Sequence, residues 1–409
     1  MSISLPKRRI WQYAAVLLVL AATVVASGVG RAARAGDGEA ASQPAVRNVI
    51  LMIGDGMGTG QVALGQIAKG KPLCFEGFPH RGSCGTSSLH SELTDSAAAG
   101  SAIATGRKAA AGYISKTEDG KSLTTILELY KARGARTGLV TTSTIVDATP
   151  AAFAAHASSR GAFDSIGYQM LAVTRPNVVM GGGGMWIDML VGDEKPVTER
   201  EMFNGYTLAT TRKKLAAIDA AKTEHLLGLF SKAYVPFELE RDADSEWPTL
   251  EEMTRAALDI VSSGSGATIG FFIMIEGGRI DHACHGNDAA DCAAETVAFD
   301  KAVQAAVDWV GERKRWDRTL LIVTADHETG GLEVRSDHKD ENGLPDDVSW
   351  ATGGHTAAPV PIYARGAGAE GIRDIKENTE LFTLMRKCLG PAVEGKTVTP
   401  SKKLVPTGE

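Results

Sequence analysis

The chain has 409 residues, 44% hydrophobic and 22% charged, with a formal net charge of −6 at pH 7. Such a composition is globular; it excludes a disordered chain, a collagen and a coiled coil, and leaves ample apolar material for a large core. The acidic balance argues against a broad basic face, so nucleic acid is not expected as a specific partner.

The N-terminus carries Lys7, Arg8 and Arg9, then an uncharged stretch from Ile10 to Gly30, then Ala33-Arg34-Ala35. A basic start, an apolar middle and a small-x-small end read as a secretory signal peptide over residues 1–35. The mature protein is therefore expected in the periplasm or outside the cell. Left uncleaved, the same apolar run is a membrane anchor. Cleavage removes five positive charges and no acid, taking the formal charge from −6 to −11. Residues 36–47 read as a flexible linker, and 393–409, with Pro400 and Pro406, as a loose tail. Residues 48–392 remain as the folded domain.

Within that domain, five apolar runs read as buried parallel strands: Asn48–Ile53, Thr137–Thr142, Ile269–Ile275, Thr319–Thr324 and Val360–Ala364. Helical patterns lie at Leu123–Arg133, Leu250–Val261 and Ala293–Lys314. Thr249 with Glu252 forms a capping-box signature before the second of these. Strands alternating with helices predict an α/β fold, doubly wound, with a mostly parallel central sheet flanked by helices. Gly181–Gly184 reads as a flexible loop; it lacks the Lys-Ser/Thr of a phosphate loop. Residues 185–247 mix polar and aromatic groups without repeats and are expected to form a small variable cap or crown over the sheet. Export permits disulfides. Cys74–Cys84 and Cys284–Cys292 are the pairs that would close short loops, with Cys388 left over.

The residues just beyond the strands carry the chemistry. Asp55 comes after the first, Asp147 and Thr149 after the second, Glu276, Asp281 and His285 after the third, and Asp326 and His327 after the fourth; His355 precedes the last. In open α/β sheets ligands bind outside the carboxyl ends of strands. One Asp after a strand is usually a turn residue or cap, but that reading does not cover four strand ends. Asp281 and His285 are four apart, on one face of a helical turn. Carboxylates with three imidazoles suit zinc, whereas the oxygen set Asp55, Thr149 and Glu276 suits magnesium. The nucleophile candidate lies in Thr94-Asp95-Ser96-Ala97-Ala98-Ala99-Gly100-Ser101, where small residues let a helix N-terminus approach an anion. The motif alone leaves Ser101 open beside Ser96.

These segments together resemble the alkaline phosphatases, across roughly residues 46–365. The resemblance rests on Asp55-Gly56-Met57-Gly58, Thr94–Ala98, Asp147-Ala148-Thr149-Pro150 with Arg160, Glu276–Asp281 and Thr324–Gly331, in that order. It implies that Asp281, His285 and His355 hold one zinc, and Asp55, Asp326, His327 and Ser96 a second. Asp55, Thr149 and Glu276 would hold magnesium, with Asp147 acting through its waters. Arg160 would clamp phosphate, oriented partly by Asp95, and His282 would reach phosphate through water. Asp147 paired with His282 differs from both common pairings of that family.

The function implied is hydrolysis of phosphate monoesters through a phosphoserine at Ser96, with a homodimer left open. Two alternatives stand beside it. A two-metal phosphodiesterase or sulfatase shares such a core, but no Cys/Ser-x-Pro-x-Arg motif is present. A non-catalytic zinc-binding protein would leave Ser96 and Arg160 without a role.

Overall fold

The computed structural model describes residues 47–191, 205–242, 244–264 and 269–389. The expected signal peptide, the linker up to residue 46 and the tail lie outside the described residues.

Among the described residues the central sheet has nine strands: β1 (Asn48–Gly54), β2 (His80–Cys84), β3 (Arg136–Thr144), β4 (Val178–Gly182), β5 (Thr207–Ala209), β6 (Leu226–Leu229), β7 (Phe271–Gly277), β8 (Thr319–Thr324) and β13 (Val360–Gly366). Their order is β2-β13-β8-β1-β7-β3-β4-β6-β5. Two short antiparallel ladders accompany it, β9 (Glu328–Thr329) with β12 (His355–Thr356) and β10 (Glu333–Val334) with β11 (Val348–Ser349). Every residue of β1, β3, β7 and β8 is buried, as expected of parallel strands covered on both faces.

Register decides where the ligands emerge. Ile53 pairs with Glu276 on β7 and with Thr324 on β8, and Thr141 on β3 pairs with Glu276. The strands therefore end nearly in step, and the residues after them share one edge of the sheet. Helices pack on the sheet in two groups. Leu250–Val261, Ala289–Glu312 and Thr59–Lys69 form one; Ser96–Thr105, Ala148–Ala154 and Thr379–Lys387 belong to the other. Leu250–Val261 starts with the expected capping box at Thr249 and Glu252. Phe272 on β7 packs between Tyr130 and Phe153, with ring centroids 5.6 and 5.8 Å away.

Four features depart from the sequence reading. Val360–Gly366 is antiparallel to β8 and β2, not parallel. The chain between β8 and β13 carries Asp326, His327 and His355, so it stays at the ligand edge, and the next strand has to run away from that edge. Gly181 and Gly182 end strand β4, and Gly184 opens a helix, so this run is not a loop. Its glycines are dictated by crowding: a Cβ on Gly182 would meet the Ala233 carbonyl oxygen at 2.0 Å. Residues 185–247, expected as a cap, contribute β5 and β6 to the sheet edge within their described part. All five cysteines are thiols. The Cys284 and Cys292 sulfurs touch at 3.5 Å without a bond, while Cys84 is buried on β2 and the Cys74 amide is held by Asp300.

Candidate active site

Three donors gather where β1 and β8 end. One ligand atom each from Asp55, Asp326 and His327 lies within 4.8 Å of the others. His327 Nε2 sits 3.5 Å from Asp55 Oδ1 and 3.3 Å from Asp326 Oδ2. Asp326 Oδ1 accepts from the amides of Gly56 and His327, at 3.2 and 2.9 Å. Asp55 Oδ1 and Asp326 Oδ2 are buried without a hydrogen bond. Buried carboxylate oxygens left facing an imidazole nitrogen are costly alone and fit a divalent cation. Burial, then the charges of Asp326, Asp281 and Glu276, pushes the Asp55 carboxyl well above its ordinary range.

A second group lies beside the first. Asp281 and His285 share the helix Arg279–His285, and His355 arrives on β12. His285 Nδ1 donates to the Gly353 carbonyl at 2.7 Å, and His355 Nδ1 to the Thr94 carbonyl at 2.8 Å. Both rings thus turn their Nε2 atoms inward, 3.2 Å apart. His285 Nε2 is also 3.2 Å from Asp281 Oδ2. Two imidazole nitrogens and one carboxylate converging within 4.8 Å again form a metal-ligand set, with carbonyls fixing the rings from behind. Burial alone would raise Asp281, but the His285 hydrogen bond and the charges of His327 and His285 outweigh it and hold Asp281 below the carboxylate range. The bond to Asp281 raises His285 to about 9. The His327 and His355 rings stack at 3.6 Å, so the two groups are contiguous.

The oxygen set is at the same edge. Glu276 is buried at the end of β7 and accepts from Thr141 Oγ1 at 2.5 Å. Burial first, opposed by Thr141 and reinforced by Asp147, raises its carboxyl to about 8. Thr149 Oγ1 is buried without a well-formed hydrogen bond. Asp147 caps the helix Ala148–Ala154 and also accepts from Ser143 Oγ at 2.5 Å.

Ser96 opens the helix Ser96–Thr105, capped by Asp95, whose Oδ1 accepts from the Ala98 amide. Its Oγ lies 3.2 Å from His327 Nε2. Ser101, in contrast, is one turn inside the helix and is spent on the Tyr113 carbonyl and the Ser115 amide. Gly100 keeps the helix close to its neighbour, since a Cβ there would lie 3.2 Å from Ala152 Cβ. Arg160 spreads its fork between two acids, Nη1 to Asp95 at 3.2 Å and Nη2 to Asp147 at 3.1 Å. The family resemblance implies the Asp95 contact; it places Asp147 only near magnesium waters.

Known proteins resemble this chain. A family profile described as "Alkaline phosphatase" matches residues 46–342. The chain belongs to the alkaline phosphatase family. Among its relatives, "Streptomycin-6-phosphate phosphatase" of Streptomyces griseus is 34% identical over 84% of this chain and 90% of its own. "Alkaline phosphatase 4" of Bacillus subtilis is 34% identical over 91% of this chain and 96% of its own. The solved alkaline phosphatase of the Antarctic bacterium TAB5 superposes with a TM-score of 0.74 at 30% identity, over 85% of this chain and 98% of that one. The Thermus thermophilus enzyme gives 0.75 at 25% identity, over 88% and 96%. A TAB5 mutant has been solved with magnesium bound in its M3 site. This alkaline phosphatase is accordingly a metal-dependent phosphatase.

Two histidines outside the site, His156 and His225, support structure. His156 bridges Glu128 and the Ser115 carbonyl, and His225 bonds the Pro176 carbonyl. Cys284 points at Cys292 and Gln61. Sequence reasoning missed the supports of the site. Arg279 Nη1 lies 2.7 Å from His282 Nδ1, and the Tyr234 ring packs on His282 at 4.5 Å. Glu328 accepts from Gln61 Nε2, Thr356 Oγ1 and the amides of Gly331 and Leu332. Arg279 and Glu328 sit inside the matching motifs, which was the available signal; Tyr234 and Gln61 carried none.

Proposed function

We propose that this phosphatase is an exported phosphomonoesterase that works through a phosphoserine at Ser96, with two zinc ions and one magnesium ion. One observation carries the reading: a helix-terminal hydroxyl stands 3.2 Å from an imidazole that also faces two unpartnered carboxylate oxygens. Asp281, His285 and His355 would hold one zinc; Asp55, Asp326, His327 and Ser96 the other. Asp55, Thr149 and Glu276 would hold magnesium, with Asp147 acting through its waters; an all-oxygen set suits that ion. When bound, such cations neutralise phosphate charge and favour deprotonation of a hydroxyl or water.

The chain's own groups do the rest. Ser96 Oγ forms a bond to phosphorus as the alcohol departs, and water then cleaves the phosphoserine to release inorganic phosphate. Amides at the start of the helix Ser96–Thr105 face the anion. Arg160 offers a planar two-pronged donor, aimed by Asp95 and Asp147. His282, steadied by Arg279 and Tyr234, would reach phosphate through water.

The substrate class is tested with p-nitrophenyl phosphate against its bis-ester. Faster turnover of the monoester is expected; preference for the diester would overturn the assignment. Export is read from the basic, apolar and small-x-small order of residues 1–35. Protein recovered outside the cytoplasm should begin at Gly36 by intact mass. Recovery of the full-length chain in the membrane fraction would replace secretion with anchoring.

A further inference from the structure

Thr329 belongs to neither ligand set, yet it touches both. It is fully buried on β9, where it is paired across the ladder with His355. Its hydroxyl lies 2.5 Å from Asp281 Oδ1 and 3.2 Å from His327 Nδ1. A hydroxyl has one proton. The carboxylate can only accept, so that proton goes to Asp281. The oxygen that remains can only accept from His327, which must then carry its proton on Nδ1. The Nε2 lone pair of His327 is thereby left facing Asp55, Asp326 and Ser96.

The backbone holds this arrangement in place. The Thr329 amide donates to the Gly56 carbonyl at 3.1 Å, and Gln61 Nε2 donates to the Thr329 carbonyl at 2.6 Å. Gly56, at φ +70, closes over the contact. A Cβ there would lie 2.8 Å from Thr329 Oγ1 and 3.0 Å from Asp281 Oδ1.

We propose that Thr329 is a positioning residue that joins the two metal-ligand sets through one hydroxyl, orienting the Asp281 carboxylate while fixing His327 in the tautomer that leaves Nε2 free. The inference rests on reading both sets as metal centres, but not on any step at Ser96. Partners behind a ligand commonly carry 10–100-fold in metal affinity.

The test measures zinc uptake by the full protein, by chelator competition, for wild type, Thr329→Val and Thr329→Ser. Both zinc equivalents should weaken about 10–100-fold in T329V, whereas T329S should bind like wild type. In zinc-loaded protein, the His327 Nδ1–H proton resonance should be slow to exchange in wild type and T329S, and lost or shifted in T329V. Thr329→Ala serves the same comparison if the valine variant does not fold. Wild-type affinity in T329V would overturn the proposal. Equal losses in T329S and T329V would do so as well, by assigning the effect to the methyl group. Weakening of one equivalent alone would refute the link between the sets. A wild-type protein that takes up fewer than two equivalents would sink the metal reading itself.

Discussion

Ser96→Ala is expected to lower kcat by at least about 10³-fold while the protein stays folded and keeps its metals. The fold is spared because the helix cap is Asp95, not Ser96. The metals are spared because Asp55, Asp326 and His327 supply their donors independently of the hydroxyl. Acid-quenched wild type should yield a phosphopeptide containing Ser96, and the variant none. Turnover near the wild-type level in S96A would end the covalent mechanism. Arg160→Ala makes the complementary case. It removes the fork held by Asp95 and Asp147, so inhibition by inorganic phosphate should weaken with metal content unchanged. Arg160→Lys should not restore it, since one ammonium cannot span both acids and an oxyanion.

The site was legible where one short segment holds both a strand and its ligand. The apolar run before Asp55 and the run before Asp326-His327 each announce a buried strand, and aligned strand ends bring the two together. Helical spacing likewise places Asp281 and His285 on one face. The hidden parts depend on partners far along the chain. Nothing local marks Asp147 as a partner of Arg160, or Thr329 as the contact of Asp281, which is 48 residues away. The antiparallel run of β13 was hidden for a similar reason. VPIYA has no direction of its own; the ligand-bearing loop before it supplies one. Strands β4, β5 and β6 are short or glycine-containing, so periodicity did not separate them from loops.

Metal removal should invert the pH dependence of stability. In metal-free protein, burial raises Glu276 to about 8 and Asp55 well above its ordinary range. A carboxyl with a raised folded-state pKa keeps its proton in the fold while the unfolded chain releases it. The folded state then binds more protons, and stability falls as pH rises. That loss begins near the ordinary carboxyl range and is complete only above about 8 for Glu276. The shift at that one buried residue corresponds to roughly 3–5 kcal/mol. His285 adds in the same direction: raised to about 9 by Asp281, it stabilises below the ordinary imidazole range and loses that contribution through about 9. Asp281 is depressed, so its contribution is present throughout this window and is lost only in acid. Chelated protein should therefore unfold at progressively lower temperature from pH 5 to pH 9. Zinc and magnesium need the same groups deprotonated, so the stabilisation they confer should grow over that interval. Thermal unfolding with chelator and with both metals, at unit pH steps, reads the two curves. A chelated Tm that holds flat or climbs between pH 5 and pH 9 would show that the acids at this edge are already balanced without a cation.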